Sequence, residues 1–172
     1  MAACGRTIGQ HGPGFTLAQV ATEAAVAVGT VAGRFGSKQG LLLAMMTAQS
    51  DVAEERMAAA AARHPDPVAA VLAALLVTTE GVADPTTATN HLAQLGVDLA
   101  DPALRAGLAV LRARVHRVLA GLLAEFPEAP PHAARILAAM THGAQLDWAL
   151  APSGRIADRV RADVTAILET WR

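Results

Sequence analysis

The sequence predicts an all-α protein: a short N-terminal helix-turn-helix followed by a larger helical part, about nine helices in all. Three observations carry this expectation. About a quarter of the 172 residues are alanine, aromatics make up 3% and tyrosine is absent, a composition that suits close-packed helices and not strands, which draw on β-branched and aromatic residues. Three Asp-Pro pairs punctuate the chain, and Asp at the N-cap followed by Pro in the first turn is a helix-start signal. Apolar residues then recur at three- and four-residue spacing through most of the remainder. With 53% apolar and 17% charged residues, a disordered chain is excluded.

The N-terminal elements are short. Residues 1–11 offer only Ala3, Cys4 and Ile8 for an apolar face and contain Gly5 and Gly9, which predicts an eroded first helix or a misassigned start. Thr16-Leu17-Ala18-Gln19 has the form of a capping box, so a helix is expected from Leu17 to about Ala24. A turn over Ala25 to Ala27 leads into a second short helix, Val28 to Phe35. After Gly36, Ser37 can cap a long helix that ends near Arg63. Two short helices, a three-residue turn and then a long helix describe a helix-turn-helix.

Further on, Asp66-Pro67 opens a helix through Val68, Leu72, Leu75 and Leu76, and Asp84-Pro85 opens one to about Leu99. Asp101-Pro102 starts a long helix towards Phe126, with Leu104, Leu108, Leu111, Val115, Val118 and Leu122 as its apolar stripe. Pro127, Pro130 and Pro131 end it and introduce the next, which runs to about Leu150. Pro152 and Gly154 break the chain before a last helix whose apolar face is Ile156, Val160, Val164, Ile167, Leu168 and Trp171.

The net charge of −1 hides an asymmetry. Residues 1–40 carry Arg6, Arg34 and Lys38 against Glu23, a net +2, and the remainder is net −3. Lys38 is the only lysine. The positive end permits contact with nucleic acid. A single cysteine, Cys4, excludes an internal disulfide and a cysteine-based zinc site, and reads as a small apolar filler. The apolar run from Pro67 to Val77 falls short of the roughly 20 residues that span a bilayer, and no signal-type segment opens the chain, so no membrane is expected and the location is read as cytoplasmic. No Ser-His-Asp motif, phosphate loop, HExxH motif or close metal-ligand spacing appears; no catalytic residue, metal or cofactor is expected, and the chain is read as not an enzyme.

The segment from Phe15 to Leu43 resembles the DNA-binding motif of the TetR-family transcriptional repressors, and the resemblance extends in helix order to Arg172. Gly12-Pro13-Gly14-Phe15-Thr16 is similar to the family's lead into its second helix, and Val28-Gly29-Thr30 to the start of its recognition helix. Arg34-Phe35-Gly36-Ser37-Lys38-Gln39-Gly40-Leu41-Leu42 is similar to the signature that joins that helix to the fourth. The chain departs from the pattern at Ala25, where the turn has a glycine, at Ala32, where a tyrosine commonly contacts phosphate, and at Gly33.

The resemblance implies a helix-turn-helix DNA-binding domain at 1–45, a helical ligand-binding and dimerisation domain at 46–172, and a repressor that a small, partly apolar ligand releases from DNA. It implies double-stranded DNA as partner, a pseudo-palindromic operator read by a homodimer. The DNA-contacting candidates are Thr16, Ala27, Val28, Thr30, Arg34 and Lys38, with Thr30 and Arg34 as donors, Ala27 and Val28 against thymine methyls and Lys38 on phosphate. Polar groups in apolar helices and their neighbours are the candidates for the effector pocket: Leu75, Thr79, Asn90, His91, Gln94, Leu95, Leu111, His116, Met140 and Trp148. The dimer interface is expected at Ile136, Met140, Gly143, Ala144, Ile156, Val160, Val164 and Ile167. The alternative is a dimeric ligand-binding protein of the same fold that has lost DNA binding.

Overall fold

The computed structural model describes residues 1–82 and 84–172; among them are nine α-helices and no strand. The helices are α1 (Ala2–His11), α2 (Leu17–Glu23), α3 (Val28–Phe35), α4 (Lys38–Ala61), α5 (Pro67–Leu76), α6 (Pro85–Ala100), α7 (Pro102–Leu122), α8 (Ala133–Leu150) and α9 (Ile156–Glu169). Single 3₁₀ turns at Gly12–Gly14, Val77–Thr79 and Leu123–Glu125 join or extend them. No helix among the described residues is long and apolar enough to cross a membrane.

The caps act as their side chains dictate. Thr16 Oγ1 accepts from the Gln19 amide while Gln19 Oε1 accepts from the Thr16 amide, closing the capping box of α2. Asp66 accepts from the Ala69 amide at 2.9 Å, Asp84 from the Thr87 amide at 2.9 Å and Asp101 from the Leu104 amide at 3.1 Å, so each Asp-Pro pair starts a helix. Helix α2 ends in a Schellman motif: the Val26 amide donates to the Ala21 carbonyl and the Ala25 amide to the Thr22 carbonyl, with Ala25 at φ 53°.

The chain divides into two compact units. The first comprises Met1–Asp51 and Gly81–Leu111, and thus joins the N-terminal helices to α6 and the start of α7. Its core is built from Ile8 and Cys4 of α1, Phe15, Val20 of α2, Val31 of α3, Leu41, Leu42, Met45 and Met46 of α4 and Leu104 of α7. Helix α1 is fully formed, which corrects the expectation of an eroded first helix. It needs few large residues because α6 packs along it: Asn90 Nδ2 donates to the Gly9 carbonyl at 2.8 Å, and Gly9 leaves room for the Thr87 methyl and the His91 ring.

The second unit comprises Val52–Glu80 and Arg112–Arg172. Helix α9 lies against α5 and α8, burying Ile156, Val160, Val164 and Leu168, and Trp171 is buried just beyond the helix end. On α7 the stripe read from the sequence is only partly right. Leu104 is buried, but Leu108, Leu111, Val115, Val118 and Leu122 are half-buried, and the fully buried positions further along are Leu119 and Leu123.

Candidate nucleic-acid interface

Helices α2 and α3 pack against each other across the Ala24–Ala27 turn, and α3 turns a single buried residue, Val31, into the core. The opposite face of α3 is open. Ala27, Thr30 and Arg34, at helical spacing along one flank of this helix, are exposed, as is Val28 in the first turn at 51%. The Arg34 guanidinium lies 5.5 Å from the centre of the Phe35 ring, an arrangement that extends the side chain along the helix end.

The turn from α3 to α4 is set by its glycines. Gly36 adopts φ 70°, which favours a residue without Cβ, and Ser37 Oγ accepts from the Gly40 amide at 3.0 Å as the N-cap of α4. A Cβ at Gly40 would stand 2.2 Å from the Phe35 carbonyl oxygen, so that glycine lets the chain double back. The first residue of α4, Lys38, reaches back to the lead into α2: its Nζ donates to the Pro13 carbonyl and sits 4.2 Å from the centre of the Phe15 ring. Partial burial lowers its basicity. Lys38 therefore clamps α4 to the start of α2 while two of its three donors stay available. Thr16, exposed beside that clamp, is engaged as the cap of α2. Of the remaining cations in the first forty residues, Arg6 is paired with Glu23 at 2.5 Å.

The effector candidates fall into both units. In the first, Asn90 is engaged with Gly9, His91 is half-buried with its basicity lowered by desolvation, and Gln94 is buried with Nε2 donating to Asp98 at 2.7 Å. Gln94 Oε1 has no partner, and Leu95 and Leu111 are half-buried. In the second unit, Leu75 is fully buried core, the Thr79 hydroxyl donates to the Leu76 carbonyl and Trp148 Nε1 donates to the Gly154 carbonyl at 3.2 Å, which makes the indole a core pin. Met140 is half-buried. His116 keeps a buried, unpartnered Nε2, and desolvation together with Arg112 and Arg135 lowers its basicity. Among the described residues no cluster of His, Cys, Asp or Glu could hold a metal ion.

The predicted interface residues divide as well. Ile156, Val160, Val164 and Ala144 are buried within this one chain, so their side chains are taken up by its own core; the periodicity that singled them out is that of any buried helix face. Ile136, Met140 and Ile167 are half-buried, and Gly143 is exposed. The sequence reading missed the exposed strip of α8 that Gly143 shares with Ala139, Leu146 and Leu150, of which Leu150 is 77% exposed. The i, i+3, i+4 spacing of small and aliphatic residues along α8 was the available signal.

An open α3 between a capped α2 and a long α4 gives the N-terminal unit the helix-turn-helix arrangement. Residues 2–45 match the family of bacterial regulatory proteins, tetR family. Two solved structures share the fold over the whole length. A transcriptional regulator from Rhodococcus sp. Rha1 is 21% identical with a TM-score of 0.73, covering 98% of this chain and 94% of its own. A Rhodococcus protein described as a TetR-family transcriptional regulator is 18% identical with a TM-score of 0.66, covering 99% of each chain. No curated protein sequence matches the chain.

Proposed function

We propose that this protein is a dimeric, DNA-binding transcriptional repressor whose release from its operator is driven by a small, partly apolar ligand. The observation that carries the reading is the open face of α3, with Ala27, Val28, Thr30 and Arg34 exposed at the start and end of a helix held rigidly by Val31, Lys38 and the Gly40 turn. Helix N-terminal residues reach base edges in the major groove, and neighbouring cations hold phosphate.

Release requires that a ligand prefer one of two conformations, and its effect is bounded by that preference. Helix α6 is suited to transmit it, because it packs on α1 and on the Gly12–Gly14 turn that leads into α2. The carboxamide of Asn90 fixes this contact through Gly9, and the orphaned Gln94 Oε1 on the same helix is a polar group that a ligand could satisfy. For the dimer, the exposed Ala139, Gly143, Leu146 and Leu150 of α8 supply a close-approach strip, in a two-fold interface where the strip of one subunit meets that of the other.

Selection of bound sequences from a random double-stranded pool, followed by anisotropy across a salt series, tests the reading. A pseudo-palindrome is expected, with log affinity falling against log salt with a slope of about −2 for one phosphate-binding cation per subunit, Lys38. Absence of any enriched sequence would refute it. A dimeric ligand-binding protein without DNA affinity is the second reading, favoured by Ala32 and by the engagement of Arg6 with Glu23, which leave few phosphate contacts. Sedimentation tests the dimer: Leu146→Glu with Leu150→Glu should give monomer, and an unchanged dimer would move the interface elsewhere.

A further inference from the structure

Gly29 and Gly33 lie four residues apart on the exposed side of α3. Neither has a positive φ, and a Cβ at either would meet nothing within 4 Å, in contrast to Gly36 and Gly40. Alanine is the better helix former at both places, so nothing inside the chain calls for glycine there. Beside them stand two unusually open aliphatic side chains, Val28 at 51% and Val26 at 44% exposure. The polar side chains of α3 are Thr30 and Arg34 alone. It has no Asn or Gln to pair with adenine and no Asp or Glu to accept from cytosine N4.

We propose that α3 reads its operator chiefly through thymine methyl groups, with Gly29 and Gly33 admitting the groove wall to the helix backbone and Val28 and Ala27 packing on the methyls. This inference rests on the DNA-binding reading above. Arg34 is the side chain suited to guanine O6 and N7, so each half-site pairs thymines with a guanine. An aliphatic side chain recognises the methyl and not the hydrogen-bonding edge. The surface therefore accepts 5-methylcytosine where it accepts thymine, and rejects uracil and cytosine, which lack the group.

The operator recovered by selection is remade with deoxyuridine for thymidine, and separately with 5-methylcytosine paired to guanine at the contacted thymines. Affinity should fall about fourfold for each contacted methyl removed, and the 5-methylcytosine operator should bind more tightly than its cytosine counterpart by the same factor. In parallel, Gly29→Ala and Gly33→Ala should raise the melting temperature while weakening operator binding tenfold or more (about 1.4 kcal/mol or more), a combination that misfolding does not produce. Tight binding that is indifferent to every thymine methyl overturns this inference and leaves the repressor reading standing. Alanine variants that bind as wild type overturn the close approach at the glycines. If no sequence is enriched at all, both readings fall together.

Discussion

Ala25 sits at the C′ position of α2 with φ 53°, in the left-handed region that L side chains enter at a cost of roughly 1–2 kcal/mol. Glycine occupies that region without steric penalty but loses about 0.5–1 kcal/mol in extra chain entropy. The Schellman hydrogen bonds of Val26 and Ala25 hold the conformation in place, so Ala25→Gly should relieve the strain without rearranging the turn. The net gain is about 0.5–1 kcal/mol, or roughly 1–4 °C in midpoint for a chain of this size. Its neighbour supplies the control. Ala24 has φ −87°, an ordinary right-handed value, so Ala24→Gly keeps only the entropic loss and should destabilise by about 0.5–1 kcal/mol. The assay is urea unfolding followed by circular dichroism on wild type and both variants. Opposite signs at adjacent alanines are the signature; a lower midpoint for Ala25→Gly than for wild type would refute the strain at this turn.

Three further outcomes follow from packing and charge. Gly40→Ala places a Cβ against the Phe35 carbonyl oxygen and should cost about 1–3 kcal/mol, read as a lower urea midpoint; a neutral result would mean that the α3–α4 turn is looser than described. Burial pushes the Cys4 thiol up to about 11, so at pH 8 iodoacetamide should modify it only through opening of α1, at a rate that rises with urea; reaction at the speed of a free thiol would show α1 undocked. Burial and the neighbouring Asp101 raise the pKa of Asp98, against the opposing hydrogen bond from Gln94. A carboxyl that holds its proton more tightly folded than unfolded makes stability fall as pH rises through the folded value. Asp98→Asn should therefore exceed wild type in urea midpoint by a margin that grows from acid towards neutral pH, and a margin that shrinks would reverse the assignment.

What the sequence made legible was whatever is encoded within a few residues. The Asp66, Asp84 and Asp101 caps, the Thr16 box and the bounds of α3 are local chemistry, and each forms where its residues dictate. Helix α1 was misjudged because its support comes from Asn90 and Thr87, some eighty residues away, and from the missing side chain of Gly9. Leu119 escaped the α7 stripe because the buried face shifts along the helix towards Leu123. The DNA-facing candidates Ala27, Val28, Thr30 and Arg34 share one exposed helix because a helix-turn-helix leaves it no other neighbour. Thr79 and Trp148 read as pocket groups since a polar residue in an apolar helix looks the same whether a ligand or the backbone satisfies it; each donates to a carbonyl of this chain.

The clamp made by Lys38 has a practical side. Because it is the single lysine of the chain, reductive methylation with ¹³C-formaldehyde labels one side-chain amine, with the α-amino group as the second signal. The labelled methyls would lie over the Phe15 ring, 4.2 Å from its centre at the nitrogen, where the ring current displaces their resonance from that of a solvated amine. The position of a single NMR peak thus reports whether α4 and the lead into α2 are joined or parted, without any engineered probe.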